Sequence, residues 1–166
     1  MNDGVPEIVA AHRGERRATL RQARPDDYDT IIALVDHWWG RPIAGALQRV
    51  FLDHFFRTSL VAERTDGEAR LVGFLVGFPS PADDRTAYIH FVGVDTGERG
   101  AGLGRALYGV FFDAMRAAGR TEVHAVTSPI NVASIAFHRS LGFSVSDPIA
   151  DYDGAGADRV VFSRSL

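Results

Sequence analysis

Arg99-Gly100-Ala101-Gly102-Leu103-Gly104 stands between a strand-like segment, Tyr88 to Val94, and a helix-like one, Leu103 to Ala118. Three glycines in six residues leave a row of backbone N–H groups with few side chains around them at a helix start. The first N–H groups of a helix have no internal acceptor, and the helix dipole favours negative charge beside them. The stretch therefore reads as an anion site that holds a phosphate or pyrophosphate by backbone alone. Its spacing does not fit the dinucleotide-binding pattern G-x-G-x-x-G, and no Gly-Lys-Ser/Thr follows to make a phosphate loop. A turn that merely redirects the chain would use the same glycines. The pattern that fits is Arg-x-x-Gly-x-Gly, on Arg99, Gly102 and Gly104.

Outward from this turn, periodicity orders the rest of the chain. Ala18 to Arg24 reads as a strand, and Pro25-Asp26-Asp27 opens a helix with Tyr28, Ile31, Ile32, Leu34 and Val35 on one face. Gly40-Arg41-Pro42 breaks it, and a second helix carries Leu47, Val50, Phe51, Phe55 and Phe56. Ser59 to Glu63 and Ala69 to Phe78 read as strands joined by Thr65-Asp66-Gly67, and Arg85 to Val94 as the next strand. A helix lined by Leu103, Leu107, Val110 and Phe111 stops at Gly119. Glu122 to Thr127 is a strand, Asn131 begins another helix, and strands surround Val145 to Ile149 and Arg159 to Phe162. Residues 1–16 read as a poorly ordered tail and 17–166 as one domain.

Composition narrows the function. The chain has 166 residues and 46% hydrophobic residues, enough for a core, and a net charge of −3. That charge predicts neither nucleic-acid nor anionic-membrane attraction. There is no cysteine, which excludes disulfides, thiolate metal sites and a cysteine nucleophile. No apolar run reaches a membrane span, and the first residues lack the order of a secretory signal. The expectation is a cytoplasmic protein without a metal site, and a homodimer is compatible with it.

A second motif follows downstream: Asn131-Val-Ala-Ser-Ile-Ala-Phe-His-Arg-Ser-Leu-Gly-Phe143. With Val94, Arg99, Gly102 and Gly104, the residues Asn131, Phe137, Leu141, Gly142 and Phe143 resemble the acetyl-CoA motifs of the GNAT superfamily, the GCN5-related N-acetyltransferases, over roughly residues 86 to 145. The resemblance implies an α/β (α+β) fold, a mixed central sheet with helices on both faces in the order β-α-α-β-β-β-α-β-α-β-β. It implies acetyl-CoA as cosubstrate, a primary amine of a small molecule or peptide as acceptor, and direct transfer in a ternary complex. It also implies that backbone of Phe91, Val92, Gly93 and Val94 bonds the pantetheine arm and that Arg99, Gly100, Ala101, Gly102, Leu103, Gly104 and Arg105 hold the pyrophosphate. Phe137 and His138 would lie beside the cofactor. Asn131 would bond near the pantetheine, or serve only as a helix N-cap.

Tyr88, His90, Val92 and Val94 share one strand face. Tyr88-Ile89-His90 is similar to the His-x-His pair of the arylalkylamine acetyltransferases with the first His replaced. His90 is the expected base, since imidazole removes protons near neutral pH, against the alternative of a structural histidine. His138 stands where the family has Tyr. A cationic imidazole there would protonate the departing thiolate, whereas a neutral ring in the wrong tautomer would only pack. Tyr88 is a further catalytic candidate, Tyr152 a second possible donor, and His124 reads as a sheet histidine. Trp38 and Trp39 adjoin on a helix, so at least one is expected at a pocket or interface, with packing as the alternative. Asp83, Asp84, Asp147, Asp151 and Asp153 would attract a cationic amine, or are solvated loop charge. A non-catalytic acyl-CoA-binding module, another acyl group and another nucleophile remain open.

Overall fold

In the computed structural model, which describes residues 8–11, 17–64 and 67–166, the elements run β1 (Ile8–Ala11), β2 (Arg17–Gln22), α1 (Asp27–Trp39), α2 (Val50–Phe55), β3 (Leu60–Arg64), β4 (Arg70–Pro79), β5 (Thr86–Val94), α3 (Leu103–Ala117), β6 (Glu122–Thr127), α4 (Val132–Ser140), β7 (Ser144–Val145) and β8 (Val160–Ser165). From β2 onward this is the expected order. β1 is an addition: Ile8–Ala11 lies inside the expected tail and pairs antiparallel with β2 from Ile8↔Leu20 to Ala11↔Arg17. The rest of that tail, 1–7 and 12–16, and the expected turn residues Thr65 and Asp66 lie outside the described residues.

The chain forms two compact units. The first comprises Phe91–Ala114 with the described residues up to Phe78, and the second Pro79–His90 with Met115–Leu166. β5 runs through both.

In the first unit the strands lie in the order β1-β2-β3-β4-β5, with β2, β3 and β4 antiparallel. Arg21 on β2 fixes the entry to α1 by pairing with Asp27 at 2.8 Å and Glu63 at 2.5 Å. Ile31, Val35 and Trp38 recur at helical spacing and bury against Val61, Phe74 and Val76. Gly40 ends α1 with a φ of 67°, a left-handed turn that suits glycine. The expected second helix is shorter than its apolar pattern. Asp36 accepts the N–H groups of Ile43 and Ala44, both at 2.7 Å, and pins the preceding chain into a 3₁₀ turn at Ala44–Ala46. Leu47 is buried ahead of α2, while Val50 is 46% exposed. α3 buries Leu103, Leu107, Tyr108 and Phe111.

In the second unit the order is β5-β6-β8-β7, with β5 and β6 parallel and the other pairs antiparallel. The strand expected over Val145 to Ile149 contracts to β7 and an isolated bridge, Ile149↔Arg159. Pro148 has no N–H to give a ladder. α4 sits by its buried His138 on Phe162 of β8.

Candidate cofactor and catalytic site

The stretch expected to bind the cofactor lies in the first unit. Asp95 follows β5 and accepts the Gly97 N–H at 2.8 Å, which folds Thr96–Glu98 into a 3₁₀ turn. Gly100 and Gly102 then take φ of 78° and 92°, where L side chains are strained. A Cβ built on either would meet nothing within 4 Å, so the backbone there faces open space. The carbonyl of Gly102 accepts the Ala106 N–H at 3.0 Å and closes the first turn of α3, which buried Leu103 anchors. An open, backbone-lined helix start of this kind fits a phosphate group.

The Arg99 side chain bonds two backbone carbonyls. Its Nε donates to the Val94 carbonyl at 3.3 Å and its Nη2 to the Trp38 carbonyl, so it ties the end of β5 to the end of α1. Ala101 is half-buried and Arg105 exposed. Phe91 packs on Trp39 and Phe74, with ring centroids 5.2 and 6.1 Å apart. A Cβ on Gly93 would fall 2.5 Å from Phe74 and 2.7 Å from Trp39, so only glycine fits beneath those rings. Both tryptophans therefore pack. Trp38 and Trp39 straddle Phe74, at 6.1 and 6.5 Å, because neighbouring side chains on a helix diverge enough to flank one ring.

Sequence reasoning missed the residues that hold the turn ahead of the glycines. Glu98 is buried and meets Arg64 Nη1 at 2.9 Å, and Asp95 meets Arg70 Nη1 at 2.6 Å. No spacing rule connects arginines on β3 and β4 to a turn some thirty residues on.

The catalytic candidates Tyr88 and His90 fall in the second unit. Both are half-buried, while Ala87 and Ile89 between and beside them are buried, as strand alternation requires. The parallel register of β5 with β6 ends at Tyr88↔His124, two residues before His90. Burial pushes the Tyr88 phenol up to about 12, with Tyr152 and Asp153 adding to the rise and Arg159 opposing it. Tyr88 thus keeps its proton at neutral pH. His124 lies 3.3 Å from Glu122.

Asn131 accepts the Ser134 N–H through Oδ1 at 3.3 Å and donates through Nδ2 to Thr127 Oγ1 at 3.1 Å. It caps α4 and ties it to β6. Phe137 is half-buried. His138 is 6% exposed and stacks on Phe162, with centroids 3.9 Å apart and planes 12° apart, and meets Phe143 edge-on at 5.1 Å. Its Nδ1 lies 2.8 Å from the Ser134 carbonyl, which only accepts, so Nδ1 carries the proton. Burial lowers its pKa, outweighing the Ser134 bond. The ring is neutral at neutral pH, with no proton at Nε2.

Of the acidic candidates, Asp83 accepts from the Arg85 N–H at 2.9 Å and the Thr86 hydroxyl at 2.7 Å, and these bonds hold it below the usual carboxylate range. Asp153 pairs with Arg159 at 2.7 Å, and Asp151 accepts the Gly156 N–H at 2.6 Å. Among the described residues no group of three His, Asp or Glu side chains is placed to hold a metal, and no helix is long and apolar enough to cross a membrane.

The model of the acetyltransferase (GNAT) family matches residues 17–143, and the chain belongs to that family. It is 40% identical over 79 residues to the L-2,4-diaminobutyric acid acetyltransferase of Nocardia farcinica, covering 48% of this chain and 39% of that protein. It is 36% identical over 84 residues to the mycothiol acetyltransferase of Thermobispora bispora, covering 46% and 28%. The match to the diaminobutyric acid acetyltransferase of Virgibacillus pantothenticus covers 52% of that protein, so the chain spans about half or less of these relatives. The fold is that of Ard1 from Thermoplasma volcanium, with a TM-score of 0.73 at 21% identity over 90% of this chain and 97% of that one. The Salmonella typhimurium protein yncA, a putative acetyltransferase solved with acetyl-CoA, superposes with a TM-score of 0.67 at 23% identity over 90% and 94%.

Proposed function

We propose that this chain is an acetyl-CoA-dependent N-acetyltransferase that passes an acetyl group directly to a primary amine of a small molecule or peptide. The observation that carries the reading is the turn at Gly100 and Gly102, whose left-handed backbone opens α3 onto free space within a chain of this family. Acetyl-CoA would bring the activated acetyl group. The N–H groups at Gly102–Gly104 would hold its pyrophosphate, and the backbone of Phe91–Val94 would bond its pantetheine amides as an added strand does.

The chemistry needs an amine without its extra proton and a donor for the departing sulfur. In this reading His90 takes the amine proton, directly or through a water. Tyr88, on the same strand face and protonated at neutral pH, is the candidate donor to sulfur. Of the two readings open for His138, packing is favoured by its stacked, neutral ring. Asn131 orients α4 as its N-cap. The acceptor class rests on the relatives, two of which are named for acetylating an amino acid carrying a second amine.

Thiol release from acetyl-CoA against a panel of amino acids, diamines and peptides tests the proposal. Turnover with at least one amine is expected. CoA binding with no turnover on any amine would make the chain a binding module instead.

A further inference from the structure

The turn that leads into the glycines is held from below by charge. Asp95 anchors its own N–H on the Val72 carbonyl at 2.9 Å, gives one carboxylate oxygen to the Gly97 N–H and the other to Arg70. Glu98, three residues on and 5% exposed, takes Arg64 Nη1 at 2.9 Å and lies 3.6 Å from Arg70 Nη2. Arg64 ends β3 and Arg70 begins β4, so two arginines from adjacent strands grip two carboxylates of one turn. The location makes these pairs more than a fold staple. Two negative charges immediately ahead of an anion-binding backbone would oppose an anion there, and a buried carboxylate without its partner is strongly unfavourable. The pairing both fixes the turn and cancels that charge.

We propose that Arg64 and Arg70 are positioning residues for CoA: through Glu98 and Asp95 they set the turn that presents the Gly100–Gly104 backbone and neutralise the carboxylates beside it. This rests on reading that backbone as the site of the CoA pyrophosphate. Neither arginine touches the cofactor in this account. Arg70 is the better probe, because its side chain is half-exposed and its loss leaves the buried Arg64–Glu98 pair in place.

The test is calorimetric titration of the full chain with CoA and, separately, with pantetheine, which has no phosphates. Arg70→Met is expected to raise the Kd for CoA about tenfold, with the Kd for pantetheine changed less than about twofold. Arg70→Lys, which keeps the charge, is expected to recover most of the loss. CoA affinity unchanged in Arg70→Met, or CoA and pantetheine weakened alike, would overturn the proposal. If the wild-type chain binds no CoA, the reading of the glycine turn fails instead. Amide exchange at Gly97 and Glu98 then decides the network: faster exchange in Arg70→Met upholds the anchoring, and unchanged exchange sinks it.

Discussion

His90 stands half-buried on β5, past the last residue paired to β6. If it removes the amine proton, His90→Ala should lower turnover by about 10²-fold or more while CoA affinity stays unchanged, because the loss is in the chemistry. Steady-state rates over pH 6 to 9 beside calorimetry check this, and a variant with near wild-type turnover would make His90 structural. His138, buried and stacked on Phe162, is expected to act on stability. Its folded pKa lies below the ordinary 6.5 because the ring is buried neutral. The unfolded chain therefore binds more protons as pH falls past 6.5, and the stability this residue contributes is full above that value and lost below it. The lowered Asp83 and Asp95 act in the same direction but near and below 3.8, outside that window. Urea unfolding should show stability falling from pH 7 to pH 5, and His138→Phe should flatten that slope while keeping turnover. A wild-type slope in His138→Phe would assign the acid sensitivity elsewhere.

α4 depends on its first residue. Asn131 bonds the Ser134 N–H and reaches back to Thr127, so Asn131→Ala should cost about 1 kcal/mol in unfolding free energy, read as a lower Tm. An unchanged Tm would show that the cap contributes nothing. Elements of this kind were legible in the sequence because their signals are local: a capping Asn, a Pro-Asp-Asp helix start, glycine stops, and alternation along β5. The glycine turn was legible for the same reason. β1 was not, since four residues carry too little pattern and its strand form comes from pairing with β2. The stack of His138 on Phe162 and the grip of Arg64 on Glu98 join residues far apart in sequence, and no periodicity reports such pairings. The short α2 was misread as longer because Leu47 is apolar and buried without being helical.

At the scale of the whole molecule, family membership and element order agree from the first motif to the last, and the proposed function depends on CoA being held by the backbone of the Gly100–Gly104 turn. Gly102 sets that turn at a φ of 92°, and Gly102→Val would put a branched side chain into the open space and strain the backbone by about 1–3 kcal/mol. The measurement that tests the claim most directly follows backbone amide resonances of the wild-type chain during titration with CoA. Saturable shifts are expected, largest at the amides of Gly102, Leu103 and Gly104, which Gly102→Val abolishes in a folded chain. Saturable binding that leaves those three amides unmoved, or no binding at all, would contradict it.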